Sequence, residues 1–217
     1  MKVKVLESTS TSMAIRFDTV SPALMNALRR TLLADIPKMA IEDVEFHLGP
    51  IRTEDGKEYE SVAPLFDEII SQRLGLVPLP TDLGLFVPRS ECPNCKGEGC
   101  ATCTIIYSLN KRGPATVLSG DLEPIGDPKL KPADPDIPIV KLGEGQALLI
   151  YATAILGTGR EHAKWQVAHG VGYRFVPMIK VGCKTFEASE AEVPLCQDHI
   201  IRPTVDEPTF GSSTRLK

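Results

Sequence analysis

Ser21-Pro22-Ala23-Leu24-Met25-Asn26-Ala27-Leu28-Arg29-Arg30-Thr31-Leu32-Leu33-Ala34-Asp35-Ile36-Pro37 carries a helix start, a helix body and a helix stop in one stretch. Ser21 can cap the free amides of a first turn, and Pro22 suits the first helical position, where its missing N–H costs nothing. Pro37 disfavours helical geometry at the residue before it, so the helix should close near Asp35 or Ile36. Leu24, Leu28 and Leu32 recur every four residues, with Met25, Leu33 and Ile36 beside them. That stripe can face one core along its length and a second surface toward its end. At 1.5 Å per residue the helix is about 22 Å long, enough to cross a small domain. Pattern alone makes it an ordinary core helix. The adjacent pair Arg29-Arg30 is what that reading leaves unexplained.

On its N-terminal side, residues 2–6 and 13–18 alternate as two short strands around the polar run Ser8 to Ser12. After Pro37, Val44, Phe46 and Leu48 alternate with Asp43, Glu45 and His47 as a third. Strand, strand, helix, strand predicts an α+β layer with the helix covering one sheet face. A second helix is expected from about Pro64 to Leu74, burying Leu65, Phe66, Ile69, Ile70 and Leu74. Gly75 would be its left-handed C-terminal residue, with Leu76 making the accompanying apolar contact. Five prolines between Glu123 and Pro138 predict extended surface chain. Gln146 to Ala154 reads as a buried strand, Gly157 to Trp165 as a charged tight loop, and Tyr173 to Val176 as a further strand. Asp206 to Ser213 reads as a loop.

The chain has 217 residues, 42% hydrophobic and 24% charged, which suits one or two domains with a buried core. A net charge of −4 and pI near 5.6 argue against a free-standing nucleic-acid binder, though not against a subunit of a larger nucleic-acid machine. No run of eighteen apolar residues exists, and Met-Lys-Val-Lys-Val lacks the apolar core of a signal peptide. The expected location is therefore the cytoplasm, without a membrane.

Cys92-Pro93-Asn94-Cys95 and Cys100-Ala101-Thr102-Cys103 give C-x2-C-x4-C-x2-C. Two chelating pairs this close can place four thiolates around one tetrahedral ion. Gly97 and Gly99 let the chain reverse between them. The plant-type iron–sulfur spacing wants a distant fourth ligand, and here Cys92 lies too near. One structural zinc is the expectation, since a closed set of four ligands leaves no position for substrate. The run from Cys92 to Gly99 is also similar to one repeat of the zinc domain of J-domain co-chaperones. That supplies the alternative function, a zinc-binding chaperone-like interaction module.

No catalytic residue emerges. Gly157-x-Gly159 is too little for a phosphate loop, and no nucleophile is placed beside His162 by motif. Glu42 and Asp43 are neighbours on a strand and so should point to opposite faces. In the loop Arg160, His162, Lys164 and Trp165 read as structural.

Taken together, three motifs carry a family resemblance. Asn26 to Pro37 resembles the signature helix of the alpha-type assembly subunits of cellular RNA polymerases. Arg73-Leu74-Gly75-Leu76-Val77-Pro78-Leu79 is similar to their second signature, and Gly159-Arg160-Glu161-His162-Ala163-Lys164-Trp165 to a third. With its four-cysteine loop the chain most resembles the archaeal branch of that family, which is related to bacterial alpha and to the third-largest subunit of eukaryotic RNA polymerase II.

The resemblance implies an α+β, two-domain fold. A discontinuous α/β dimerisation domain (1–47 and 171–217) would hold an inserted, mostly-β domain (48–170) that carries the metal loop. It also implies a non-catalytic scaffold of a nucleotidyltransferase complex, the DNA-directed RNA polymerase. The chain would pair with the small subunit L, meet subunits N and P, and touch DNA only through the complex that includes the large catalytic subunits. Leu24, Asn26, Leu28, Arg29, Arg30, Leu32 and Ile36 would then be interface residues. Some family members carry a ferredoxin-like domain with iron–sulfur clusters. Here Cys183 and Cys196 stand alone after Cys103, so no cluster is expected, and the C-terminal part reads as truncated.

Overall fold

The computed structural model describes residues 1–52, 57–181, 184–187 and 202–212. They form two compact units. One comprises residues 1–36 with 166–217, and the other residues 37–165. The second unit is thus inserted into the sequence of the first.

The first unit begins with an antiparallel hairpin of β1 (Lys2–Ser8) and β2 (Met13–Asp18), in which Val3 pairs with Phe17 and Val5 with Ile15. Helix α1 (Pro22–Ala34) starts as the sequence predicts, with Ser21 accepting the Leu24 N–H at 3.3 Å. Asp35 closes it, donating its N–H to the Thr31 carbonyl at 2.9 Å. The stripe is rotated from the expected one. Met25 is the buried residue, packed with Phe17 and Val171, while Leu28, Leu32 and Leu33 are half-buried beside it. Leu24 is 50% exposed.

The inserted unit is built on β10 (Ala147–Gly157), the apolar run predicted as a buried strand. It is flanked by β3 (Lys38–Phe46) and β6 (Thr104–Arg112), both antiparallel to it. Between β3 and β10 in the chain, β4 (Pro50–Arg52) pairs with β5 (Glu58–Glu60), and α2 covers Asp67–Gly75. A short sheet joins β7 (Ala115–Leu118) to β9 (Pro138–Leu142), and β8 (Glu123–Pro124) extends the main sheet beyond β6. Alternation explains the core. Ile105, Tyr107 and Leu109 of β6 are buried with Ile150 and Ala152 of β10, and Ile70 and Leu74 of α2 cover them. The proline-rich stretch is held near its middle by Tyr107, whose hydroxyl donates to the Leu130 carbonyl, and Ser119, which donates to that of Asp134.

The last strands return to the first unit. β11 (Val171–Val181), β12 (Lys184–Glu187) and β13 (Arg202–Ser212) complete a five-stranded sheet in the order β1-β2-β13-β11-β12.

Four expectations are corrected. β3 does not join β1 and β2, because its partner β10 lies more than a hundred residues away. Phe66 and Ile69 are 76% and 38% exposed, so α2 buries only the narrower face of Ile70 and Leu74. Gly75 lies in the helix without a positive φ, and Leu76 is 56% exposed. A Cβ at Gly75 would make only ordinary contacts, with the Ile41 carbonyl at 3.5 Å and Lys164 Cδ at 3.7 Å, so neither backbone conformation nor space demands glycine there. Residues 206–212, expected as a loop, belong to β13. Its two prolines, Pro203 and Pro208, fall outside the stretch Thr209–Ser212 that is paired on both sides, so strand pairing survives them.

Candidate metal centre and the motif residues

The four-cysteine loop runs from a 3-10 turn at Arg89–Glu91 to the start of β6. Its turn is made by Lys96, Gly97 and Gly99, all at positive φ, where only glycine is free of strain. Arg89 locks this turn by donating Nε to the Gly97 carbonyl at 2.9 Å and Nη2 to that of Glu98 at 2.8 Å.

The sulfurs of Cys92, Cys95, Cys100 and Cys103 converge within 4.8 Å of one another and form no disulfide. Cys92 and Cys100 are 3.5 Å apart, Cys95 and Cys103 3.5 Å, and Cys100 and Cys103 3.8 Å. A tetrahedral ion with bonds of about 2.3 Å holds its sulfurs about 3.8 Å apart, so the donor set fits such an ion closely. Backbone donors already serve the sulfurs: Gly99 N–H reaches Cys95 at 3.2 Å and Cys100 N–H reaches Cys103 at 3.3 Å.

The thiols are electrostatically unequal. The Thr102 hydroxyl, followed by the Cys95 backbone N–H, lowers Cys92 to about 6, and Thr102 also lowers Cys100. Burial instead pushes Cys103 up to about 11. Ionising all four this close together would need a cation to offset their repulsion, which is what a tetrahedral metal ion supplies. Cys183 and Cys196 lie outside the described residues.

The third motif forms a second constellation, also within the inserted unit. Trp165 is buried and donates Nε1 to the Ile155 carbonyl at 3.3 Å. Lys164 stacks over its ring at 4.4 Å, donates to the Ile41 carbonyl at 3.0 Å, and pairs with Glu42. His162 accepts the Lys164 backbone N–H at 3.1 Å through Nδ1, and its ring meets Trp165 edge-on. Arg160 is exposed and engaged in contacts of its own. The second motif joins from α2, where Gly75 adjoins Lys164.

The Glu42 partnership is invisible in the sequence. A bulge opposite Thr153 and Ala154 leaves Glu42 without a cross-strand partner in β3, and Glu42 reaches Lys164 while Asp43 lines a different part of the surface. Next to it, the Ile41 carbonyl accepts Lys164 Nζ at 3.0 Å. Nothing in local periodicity signals a bulge.

Of the α1 residues singled out, Asn26 accepts both Nε and Nη2 of Arg29, at 3.2 and 3.1 Å. Arg30 is exposed, while Ile36 is half-buried beyond the helix end. Leu28 and Leu32 contribute to the core of their own unit.

A unit interrupted in sequence by an inserted, mostly-β unit that carries four converging cysteines matches the architecture the sequence motifs imply. The family described as the RNA polymerase Rpb3/RpoA insert domain matches residues 51–173. The DNA-directed RNA polymerase subunit Rpo3 of Thermoplasma volcanium is 54% identical over 187 residues, 86% of this chain and 68% of that protein. Rpo3 of Picrophilus torridus is 48% identical over 198 residues, covering 91% and 72% respectively. Rpo3 of Methanosarcina mazei is 40% identical over 195 residues, covering 89% and 68%. The chain therefore belongs to the Rpb3/RpoA family of alpha-type subunits of DNA-directed RNA polymerase. It serves an enzyme complex and is not the catalyst itself. Among the described residues, no helix is long and apolar enough to cross a membrane.

Proposed function

We propose that this chain is the assembly platform of an archaeal-type RNA polymerase, pairing with the small subunit L and carrying the large catalytic subunits. Under this reading residues 1–36 and 166–217 are the dimerisation domain and residues 37–165 the insertion domain. Subunits N and P are further neighbours, and the four thiolates hold one structural zinc. The residues proposed to meet partners are Leu24, Asn26, Leu28, Arg29, Arg30, Leu32 and Ile36.

The observation that carries the reading is the outer side of α1. Leu24 is 50% exposed and Arg30 is exposed, while Arg29 is already oriented by Asn26. An exposed leucine on a helix that also carries a pre-organised arginine suits an interface core, where arginine is enriched and other charges are depleted. The edge strand β1 adds Val3, Val5 and Leu6, each more than half exposed.

Co-expression with subunit L followed by size-exclusion chromatography tests the pairing. One shared peak is expected, and Leu24→Asp should split it. Two separate peaks for the unaltered chains at micromolar concentration would count against the reading. An affinity pull-down from native cells should bring down the large polymerase subunits with this chain.

A further inference from the structure

The outer face of the main sheet in the inserted unit bears a groove of about 990 Å³, lined in part by Cys100 of the four-cysteine loop and by no residue of the third motif. The four-cysteine loop forms one wall and the sheet its floor. Register places Asp43 of β3, Thr153 of β10 and Ile106 of β6 in one row across that floor. The Ile125 N–H bonds to the Ile106 carbonyl, which carries the row one position further.

The floor and rim are apolar where a folded surface would ordinarily be polar. Ile106 is 44% exposed, Ile125 60% and Leu85 62%. Three neighbouring exposed apolar side chains on a concave surface mark a binding site more often than chance. Around them stand the exposed carboxylates of Asp43, Glu45 and Glu98. Arg89 is the one cation among the lining residues, and its guanidinium is committed to the Gly97 and Glu98 carbonyls. The groove therefore presents apolar contact inside a frame in which carboxylates outnumber the single guanidinium, so its surround is net anionic.

We propose that this groove seats a segment of a partner polymerase polypeptide in which apolar side chains are flanked by lysine or arginine. The inference rests on the assembly reading above. The apolar side chains would lie over Ile106, Ile125 and Leu85, and the cations would answer Asp43, Glu45 and Glu98. Nucleic acid does not suit it, since the frame has the sign of a phosphate backbone. The metal then gains a role in recognition: by holding the cysteine loop rigid, it holds one wall of the groove.

The test places a photo-crosslinking amino acid at Ile106, and separately at Ile125, in the full chain assembled into polymerase. A cross-link from either position to one partner segment rich in apolar and basic residues is the expected result. Asp43→Lys with Glu45→Lys should weaken retention of that partner by about tenfold or more, with metal content unchanged. If the chain enters the polymerase but neither position cross-links a partner polypeptide, the groove proposal fails and the assembly reading stands. A cross-link to an acidic segment, to nucleic acid or to a second copy of this chain also overturns it. If the chain fails to enter the polymerase at all, both fall.

Discussion

Replacing Lys164 by methionine isolates one cation on which two of the three motifs converge. Methionine keeps an unbranched stem beside Gly75, so the local packing largely survives and the ammonium alone is lost. The Ile41 carbonyl then loses its donor at 3.0 Å, an interaction with a charged group worth about 1.5–3 kcal/mol. Stacking over Trp165 at 4.4 Å adds about 0.5–1 kcal/mol. The Glu42 pair adds little, because that carboxylate's side chain is 39% exposed and exposed pairs are worth about 0–1 kcal/mol. These terms share one group and do not sum, so the expected loss is about 2–3 kcal/mol. For a chain of this size that lowers Tm by roughly 5–10 °C. Urea unfolding followed by tryptophan fluorescence reads it directly, because Trp165 is the single tryptophan and sits in the site. Glu42→Gln should cost under about 1 kcal/mol in the same assay. A Lys164→Met midpoint indistinguishable from the parent, at unchanged slope, would refute the reasoning. Equal losses for the two variants would show that the ion pair, not the buried carbonyl contact, is the dominant interaction.

Gly157→Ala should destabilise the inserted unit by about 2–3 kcal/mol by overpacking, because the new Cβ would lie 2.4 Å from the Trp165 ring. Trp165→Leu in the same chain should recover part of that loss in thermal unfolding followed by circular dichroism. For the metal, elemental analysis should find one zinc per chain, and iron in excess of zinc would overturn the assignment. Cys103→Ser should abolish retention. Zinc affinity should fall by at least about tenfold per pH unit on acidification near neutrality, since protons compete for the thiolates. The sign follows from Cys103. Burial pushes its thiol up to about 11, so at pH 7 it must shed a proton to bind, whereas Cys92 at about 6 is already mostly ionised. Proton release on zinc addition, measured in weakly buffered solution, checks it.

Local signals are legible where one segment decides its own state. The cap at Ser21, the proline stop, the alternation in β6 and the paired cysteine spacing each act over a few residues, and each appears in the structure where expected. Periodicity overstates the burial of α2, because it reports which residues are apolar and not which are covered. Phe66 and Ile69 are apolar and exposed, which suits a surface that partners cover.

Sequence is thus enough for most of the elements, for the four-thiolate loop and, through three motifs, for the family. It is the three-dimensional arrangement that pairs β3 with β10, brings Glu42 to Lys164 from 122 residues away, and makes residues 202–212 complete a sheet. The reason is that strand pairing and bulges are set by partners distant in the chain, whose contribution no local window contains. Caps and chelating pairs, by contrast, carry their partners within a turn or two.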